Sequence, residues 1–568
     1  MSNSTISLLH SGKLPFSNDR QSILTWCPSL NLLLKTMNRT SVWCYRIDGE
    51  RLYSINNKTT ILDIVFHEHF CCISGADHSV RIYDVNDGTL VKSIENGFQD
   101  VGLINWNSTP FEMDDVVLRN LPQIWDLEYT LEYLAISDTR GGISFNFNKV
   151  VSVRKETQHK MTRQLKSDLF SQVYLDQESN LVSVEFNVSS TRLYVDSIVI
   201  LCHVFAIFER IKLEVGKLGE EEIKPFFTLL DRYLANFDEQ TGGKAEKTLC
   251  EVLTTHLICN STKDFWVNQL GERGYKRLMK LHETMRDSAV KRIYRYLISP
   301  MERVIALLNK LVGICKWSNV LGLDIEYLEL VLEESTARFK NYYQVLFDLK
   351  AHLENFDEFL VWLKTLLDTL EEKEWSMNYS PTNILTYILK DMSKPKLLTH
   401  FDIDLDFISS RKSSGGGGGT SSSISLSDSH QQLCNMFSKV LSQVNHTHKT
   451  SIISIRPLQK LDLPSHTNLQ SSEWEGQTVI TYLNEASSLI ISTPISILAT
   501  IPNIITYEHR SNDLVALTQD QILIINSSSS ISITLPTLQF KPRLIKLNSS
   551  YICLADEMKV NYAIFQIS

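Results

Sequence analysis

The sequence contains no CxxC pair, and its ten cysteines are scattered from Cys27 to Cys553 without disulfide-like spacing. That usage belongs to a reducing compartment, where cysteine packs as a small apolar residue. Long apolar runs are missing too. The longest, Ile198 to Phe208, is interrupted by His203 and covers roughly half a membrane span. It reads as a buried helix. The opening residues, Met1 to Ser7, lack the basic region and apolar core of a signal peptide. The expectation is a soluble, intracellular protein with no membrane partner. Catalytic signatures are equally scarce. Gly415 to Gly419 is followed by no Lys-Ser/Thr and preceded by no strand, so a phosphate-cradling loop is excluded. No G-x-S-x-G elbow, H-E-x-x-H helix or kinase signature occurs. No enzyme, catalytic residue or cofactor is expected. Positive charge is in deficit, with 56 Lys and Arg against 65 Asp and Glu and a net charge of −9. This weighs against nucleic acid as the principal partner.

What is present is a chain of 568 residues, too long for one core, whose composition is that of a folded protein. From about residue 20 it reads as short strands and turns. Val42, Tyr45 and Ile47 return thirty-eight residues later (80 − 42) as Val80, Tyr83 and Val85, with Asp48-Gly49 and Asp87-Gly88 as matching turns. A period near forty with four strands per unit is that of a WD40 blade. A third unit runs through Trp106, Tyr133 to Asp138 and Gly141 to Phe147, stretched by a surface insertion at Asn107 to Asp126. A fourth covers Val173 to Phe186.

Near residue 190 the period becomes helical. Helices are expected over Val195–Leu218, Glu221–Phe237 and Thr248–Cys259, then through a hundred-residue stretch from Phe265 to Leu370. Breakers fall at Gly242-Gly243, Gly271 and Ser299-Pro300, with a turn at Asn319 to Asp324 and a last short helix at Asn383 to Met392. Arg411 to Asp428 is Ser/Gly-rich, with too little apolar surface to offset the entropy of ordering it. From Lys449 strands return in numbers sufficient for three more units. The expected fold is all-β plus all-α: a WD40-like seven-bladed β-propeller interrupted by a long α-helical bundle insertion. Its parts are N-terminal blades over 1–190, the helical bundle over 191–400, a disordered linker over 401–430, a short helix over 431–447 and C-terminal blades over 448–568.

The close histidine pairs, His67/His69 and His446/His448, sit at a turn and beside the linker, and read as solvated loop residues; no metal site is expected. Cys71-Cys72 lies in an alternating strand and reads as packing on both faces. A basic cluster is conspicuous: Arg273, Lys276, Arg277, Lys280, Arg286, Lys291, Arg292 and Arg295, diluted only by Glu283 and Asp287. Two readings stay open, a solvated helix face and a contact for an acidic protein partner; nucleic acid ranks third because no stacking aromatics are interleaved. In Phe356 to Leu363, four apolar side chains share one helix face and Trp362 leaves it. The candidate partner-binding residues are therefore Arg273, Lys276, Arg277, Lys280, Arg292 and Trp362.

With these residues laid out, the chain resembles the subunit 4 family of the anaphase-promoting complex (cyclosome), the multi-subunit ubiquitin ligase of the cell cycle. Three segments carry the resemblance: Leu24 to Pro28 followed by Val42 to Arg46, Asn268 to Gly274, and Asn355 to Leu363. The early units depart from the pattern by lacking most Trp-Asp and Gly-His dipeptides, and the late strands show no motif. The resemblance implies a non-catalytic scaffold in the platform of the complex, linking the catalytic cullin–RING module to the tetratricopeptide subunits. It implies a hetro-oligomer whose partners are the large subunit 1, subunit 5 and, directly or indirectly, the cullin–RING module, working in mitosis in the nucleus and cytoplasm. The alternative is a generic WD40 adaptor in trafficking or signalling.

Overall fold

A computed structural model of the chain describes residues 6–17, 22–94, 101–110, 130–373, 378–392, 395–408, 425–460, 469–474, 477–484, 486–493, 496–510, 513–526, 529–548 and 550–567. It divides into two compact units: Met1–Ile198 with Val444–Ser568, and Val199–Gln443.

The first unit holds seven four-stranded antiparallel sheets. The first sheet comprises Leu24–Trp26, Leu32–Met37, Ser41–Arg46 and Arg51–Asn56, and the second Ile61–His67, Phe70–Gly75, Val80–Asp84 and Leu90–Ile94. The third has Val101–Pro110, Thr130–Asp138, Gly142–Phe147 and Val151–Glu156. The fourth has Met161–Ser167, Ser171–Asp176 and Asn180–Phe186, then Ile453–Lys460 from beyond the helices. The fifth (Gln470–Trp474, Gln477–Leu483, Leu489–Ser492, Ile497–Ile501) and sixth (Thr506–Arg510, Asp513–Leu517, Gln521–Ile525, Ser530–Thr534) are continuous. The seventh takes Leu544–Leu547, Tyr551–Ala555 and Asn561–Ile567 and is completed by Ile6–Lys13 from the start of the chain.

Alternation explains why these segments form layered sheets. Cys71 enters the apolar cluster shared by the first and second sheets, and its neighbour Cys72 enters the one shared by the second and third. Polar bonds join consecutive sheets as well. Ser29 donates to Glu68 O (2.5 Å), Asn107 to Gln164 Oε1 (3.0 Å) and Ser471 to Gln164 O (3.1 Å). Tyr507 donates to Thr481 O (2.7 Å), Lys546 to Glu508 (2.5 Å) and Asn548 to Cys27 O (3.1 Å). His67 lies 3.4 Å from Glu132 and stacks on Trp106, so it is half-buried between sheets and not the solvated loop residue expected.

Other expectations are corrected here. Asn107 to Pro110 continue a strand, and the rest of the expected insertion, with part of the Ser/Gly-rich stretch, lies outside the described residues. Ile6–Lys13 was not expected as a strand. His448, expected in solvent, is fully buried: Tyr194 donates its hydroxyl to Nε2 (2.7 Å) while Nδ1–H bonds Val444 O (2.7 Å). Phe147, Phe170 and Phe186 pack edge-on against Tyr194. The clasp thus ties the outgoing and returning chain where the helices interrupt the fourth sheet.

The helical unit is built from α1 (Thr191–Lys217, which carries the chain across the unit boundary), α2 (Lys224–Thr241), α3 (Ala245–Thr255), α4 (Gly271–Arg292), α5 (Ser299–Trp317) and α6 (Ile325–Leu370). Shorter α7 (Pro381–Thr386) and α8 (Lys396–His400) follow, and α9 (Leu426–Thr447) leads back. By length and composition Thr191–Thr241 could cross a membrane, yet Ile198 to Val204 are buried within the fold. Ser299-Pro300 does not break the chain's helical course. Pro300 occupies the first turn of α5, where a missing N–H costs nothing, and is buried. Asp324 caps α6, its carboxylate accepting from Tyr327 N (3.3 Å). Both described ends of the linker expected over 401–430 are structured. Ile403, Leu405 and Ile408 are buried, and α9 begins at Leu426, not 431, with Ser425 accepting from Asp428 N (3.0 Å) as its cap. A deletion within this stretch is therefore expected to spare the fold only if it stops before Ser425. Removing the cap and buried Leu426 should cost about 1–3 kcal/mol more, read from the chemical unfolding midpoint.

Candidate partner-binding surface

The segment Asn268 to Gly274 opens α4, and its glycines are required by position. Gly271 has φ +49°, a left-handed conformation that strains a side chain, and a Cβ at Gly274 would sit 2.8 Å from Tyr233 Oη. The second glycine lets α4 lie close on α2. Phe265 and Trp266 are buried ahead of it, packed on Phe237. Gly274, Leu278, His282, Met285 and Ala289 then form the inward stripe.

The outward face of α4 carries the basic residues, and the structure separates them into two kinds. Arg273, Lys276, Arg277 and Lys280 are exposed. Lys276 pairs with Glu272 (3.1 Å), whereas Arg273, Arg277 and Lys280 have no ion-pair partner among the described residues. Arg277 and Lys280 come together along a cleft of about 930 Å³ between α2, α4 and the 406–407 segment, with Leu229, Leu281, Arg232 and Phe407 also in its walls. Asp231 fixes that segment by accepting from the backbone N–H of Ile408 (2.8 Å). The cleft thus offers apolar surface beside unpaired cations.

Arg292 and Trp362 belong elsewhere. Arg292 turns inward to buried Glu214 (2.8 Å) and to Glu222 (3.2 Å). Burial disfavours its charge, but the bonds and charges of these two carboxylates outweigh it and raise its pKa. Arg292→Ala would strand Glu214 without its closest cation, and a loss of about 3 kcal/mol in unfolding free energy is expected, against about 0.5 or less for Arg273→Ala. Trp362 is completely buried beside Phe359 (5.3 Å). The helical wheel mislocated it because α6 is covered on more than one side, by α4, α5, α7 and Tyr387–Met392. Arg286 is likewise engaged, donating to Asp357, which also bonds His282 (2.9 Å).

Residues not singled out in the sequence are more exposed. Trp317 at the end of α5 is 87% exposed, Phe347 61% and Tyr294 58%. Phe339, Tyr343 and Phe347 recur every four residues along α6, with the first two rings 5.0 Å apart. Their i, i+4, i+8 spacing runs beside the buried stripe of Tyr342, Val345, Leu346 and Leu349. Exposed aromatics are where protein interfaces concentrate binding energy. Among the described residues no three His, Cys, Asp or Glu converge as metal ligands would.

Successive four-stranded antiparallel sheets interrupted by a helical unit with an aromatic and basic surface define a mixed β/α protein of WD40 type. A family model described as anaphase-promoting complex, cyclosome, subunit 4 matches residues 180–373, and one for the WD40 domain of that subunit matches residues 24–109. Both models are of the anaphase-promoting complex subunit 4 family, and together they directly support placing the chain in that family. The comparison with curated proteins returns no match. Among solved structures, the computationally designed Ika8 protein is 15% identical over 28% of this chain and 44% of its own, with a TM-score of 0.21. The designed Ika4 protein is 11% identical over 31% of this chain and 98% of its own, with a TM-score of 0.23. Likeness that low carries no argument.

Proposed function

We propose that the chain is a non-catalytic scaffold in the platform of the anaphase-promoting complex. It would connect the cullin–RING module with the tetratricopeptide subunits and so support ubiquitination of cell-cycle regulators in the nucleus and cytoplasm. Family membership through both the early sheets and the helices is the observation that carries this reading. Physical features support it. Consecutive sheets are bonded in order and the seventh is bonded to the first, which is the pattern of a closed seven-bladed propeller whose N-terminal strand completes the last blade. The helical unit displays exposed aromatics, and cations without an ion-pair partner among the described residues, suited to protein contact.

On this reading the α4 cleft takes an acidic, partly apolar segment of a neighbouring subunit. Purification of the tagged chain from dividing cells at moderate salt should recover cullin, RING and tetratricopeptide subunits at near-equal stoichiometry. Recovery of trafficking or signalling proteins instead would move the chain to a generic adaptor role. Arg277→Glu with Lys280→Glu should weaken recovery of one subunit by roughly tenfold or more, with a steeper loss as salt rises in the unaltered chain than in the variant.

A further inference from the structure

Every sheet of the first unit has a far edge, opposite the strands through which neighbouring sheets meet, and unpaired edges invite pairing unless they are blunted. Six of the seven far edges carry a blunting device. Arg51–Asn56 has Arg51 and a register shift, Leu90–Ile94 has Lys92 and a shift, and Val151–Glu156 has Arg154, Lys155 and Glu156. Ile453–Lys460 has Arg456, Pro457 and Lys460, Ile497–Ile501 has a shift, and Ile6–Lys13 has Lys13 and a shift. The far edge of the sixth sheet, Ser530–Thr534, has none. It contains no charge and no proline, and its pairing with Gln521–Ile525 runs without a shift. No charged residue occurs anywhere from Gln521 to Phe540.

Among the described residues no strand pairs with the outer side of this one. Asn526 N donates to Ser529 O and Leu535 N to Asp520 O, so the alternation of an antiparallel ladder directs the backbone N–H and C=O of Ser530, Ser532 and Thr534 outward. The same three side chains are exposed, while Ile531 and Ile533 are half-buried. Just past Thr534 a cavity of about 380 Å³ opens, lined by Leu535, Pro536, Leu538 and Phe540 together with Asp520, Lys541 and Arg543. An outward-facing ladder thus leads to a notch of mixed apolar and charged character.

We propose that Ser530–Thr534 is a strand-addition site that receives an extended, uncharged, β-forming segment of another subunit, one end of which lies over that notch. The inference rests on membership in a multi-subunit assembly. The stretch paired along the strand is uncharged because Ser530–Thr534 itself offers no charge to complement, and main-chain bonds supply the recognition. The occupant comes from a different chain because the protein works as a component of a hetero-assembly.

The test compares amide hydrogen exchange of a peptide covering residues 529–536 in the free full-length chain and in the purified assembly. Exchange on the order of tenfold slower in the assembly is expected. Ser532→Pro removes an outward N–H without touching the bonds to Gln521–Ile525. It should cancel that protection, whereas Ser532→Thr, which keeps the N–H, should retain it. Equal exchange in both states would overturn the proposal. So would protection that grows with concentration in the free chain, since a second copy would then be the occupant. If the chain is recovered in no assembly at all, the scaffold reading fails first, and that failure is distinguishable from the edge being bare within an intact complex.

Discussion

Leu307→Asp combined with Leu311→Asp is expected to unfold the helical unit and remove the chain from its assembly. Both leucines are essentially inaccessible, one turn apart on α5, beside Val304 and Leu308. An unpaired carboxylate at such a site costs several kcal/mol, roughly, and two of them approach or exceed the 5–15 kcal/mol by which folded domains are usually stable. Circular dichroism should lose helical signal, and co-purification should fail. Ala306→Asp, on the exposed side of the same helix, should leave both within error. Full assembly with the double variant would mean the inward face of α5 had been misassigned.

The second large effect is acid lability. Burial pushes the pKa of His352 down to about 3 and those of His203, His430, His448 and His509 to about 4, well below the ordinary histidine value of 6.5. Nearby Arg303, Arg163 and His282 add to this at His203, His509 and His352. His430 illustrates why the neutral ring is required: Nε2–H donates to Phe208 O (2.8 Å) and Nδ1 accepts from Tyr342 (3.0 Å), joining α1, α6 and α9. Because the folded pKa values are lowered, the unfolded chain binds more protons between about pH 6.5 and 4. Stability is therefore full above pH 6.5 and is lost as pH falls toward 4. A tenfold change in proton affinity is worth about 1.4 kcal/mol, so the five together contribute a loss on the order of several kcal/mol. Chemical unfolding from pH 7.5 to 4.5 measures it. His430→Gln, whose amide can donate and accept at the same two partners, should show a shallower pH dependence than the unaltered chain. An unchanged slope would remove His430 from the account.

The repeat was legible because Val42/Val80 and Tyr45/Tyr83 are buried at equivalent positions in the third strands of the first two sheets, and burial keeps such positions apolar. The opening of α4 was legible because Gly271 and Gly274 answer local needs. Ile6–Lys13 escaped notice because its partner, Asn561–Ile567, lies at the other end of the chain, and its mostly exposed pattern signals no core strand by itself. Arg292 and Trp362 were misread for a related reason. The pattern of one helix says which side is apolar, but Glu214 is supplied by α1, and α6 is covered by helices both earlier and later in the chain.

What the sequence by itself determined is local: which segments are strands or helices, where glycine or a cap must stand, and that a long helical stretch interrupts a series of β units. These follow from side-chain period, turn chemistry and backbone freedom, each acting over a few residues. Only the tertiary structure decided which strand completes which sheet and which charged or aromatic groups remain at the surface. Those outcomes depend on pairing and burial between residues hundreds of positions apart, and no local pattern carries that information.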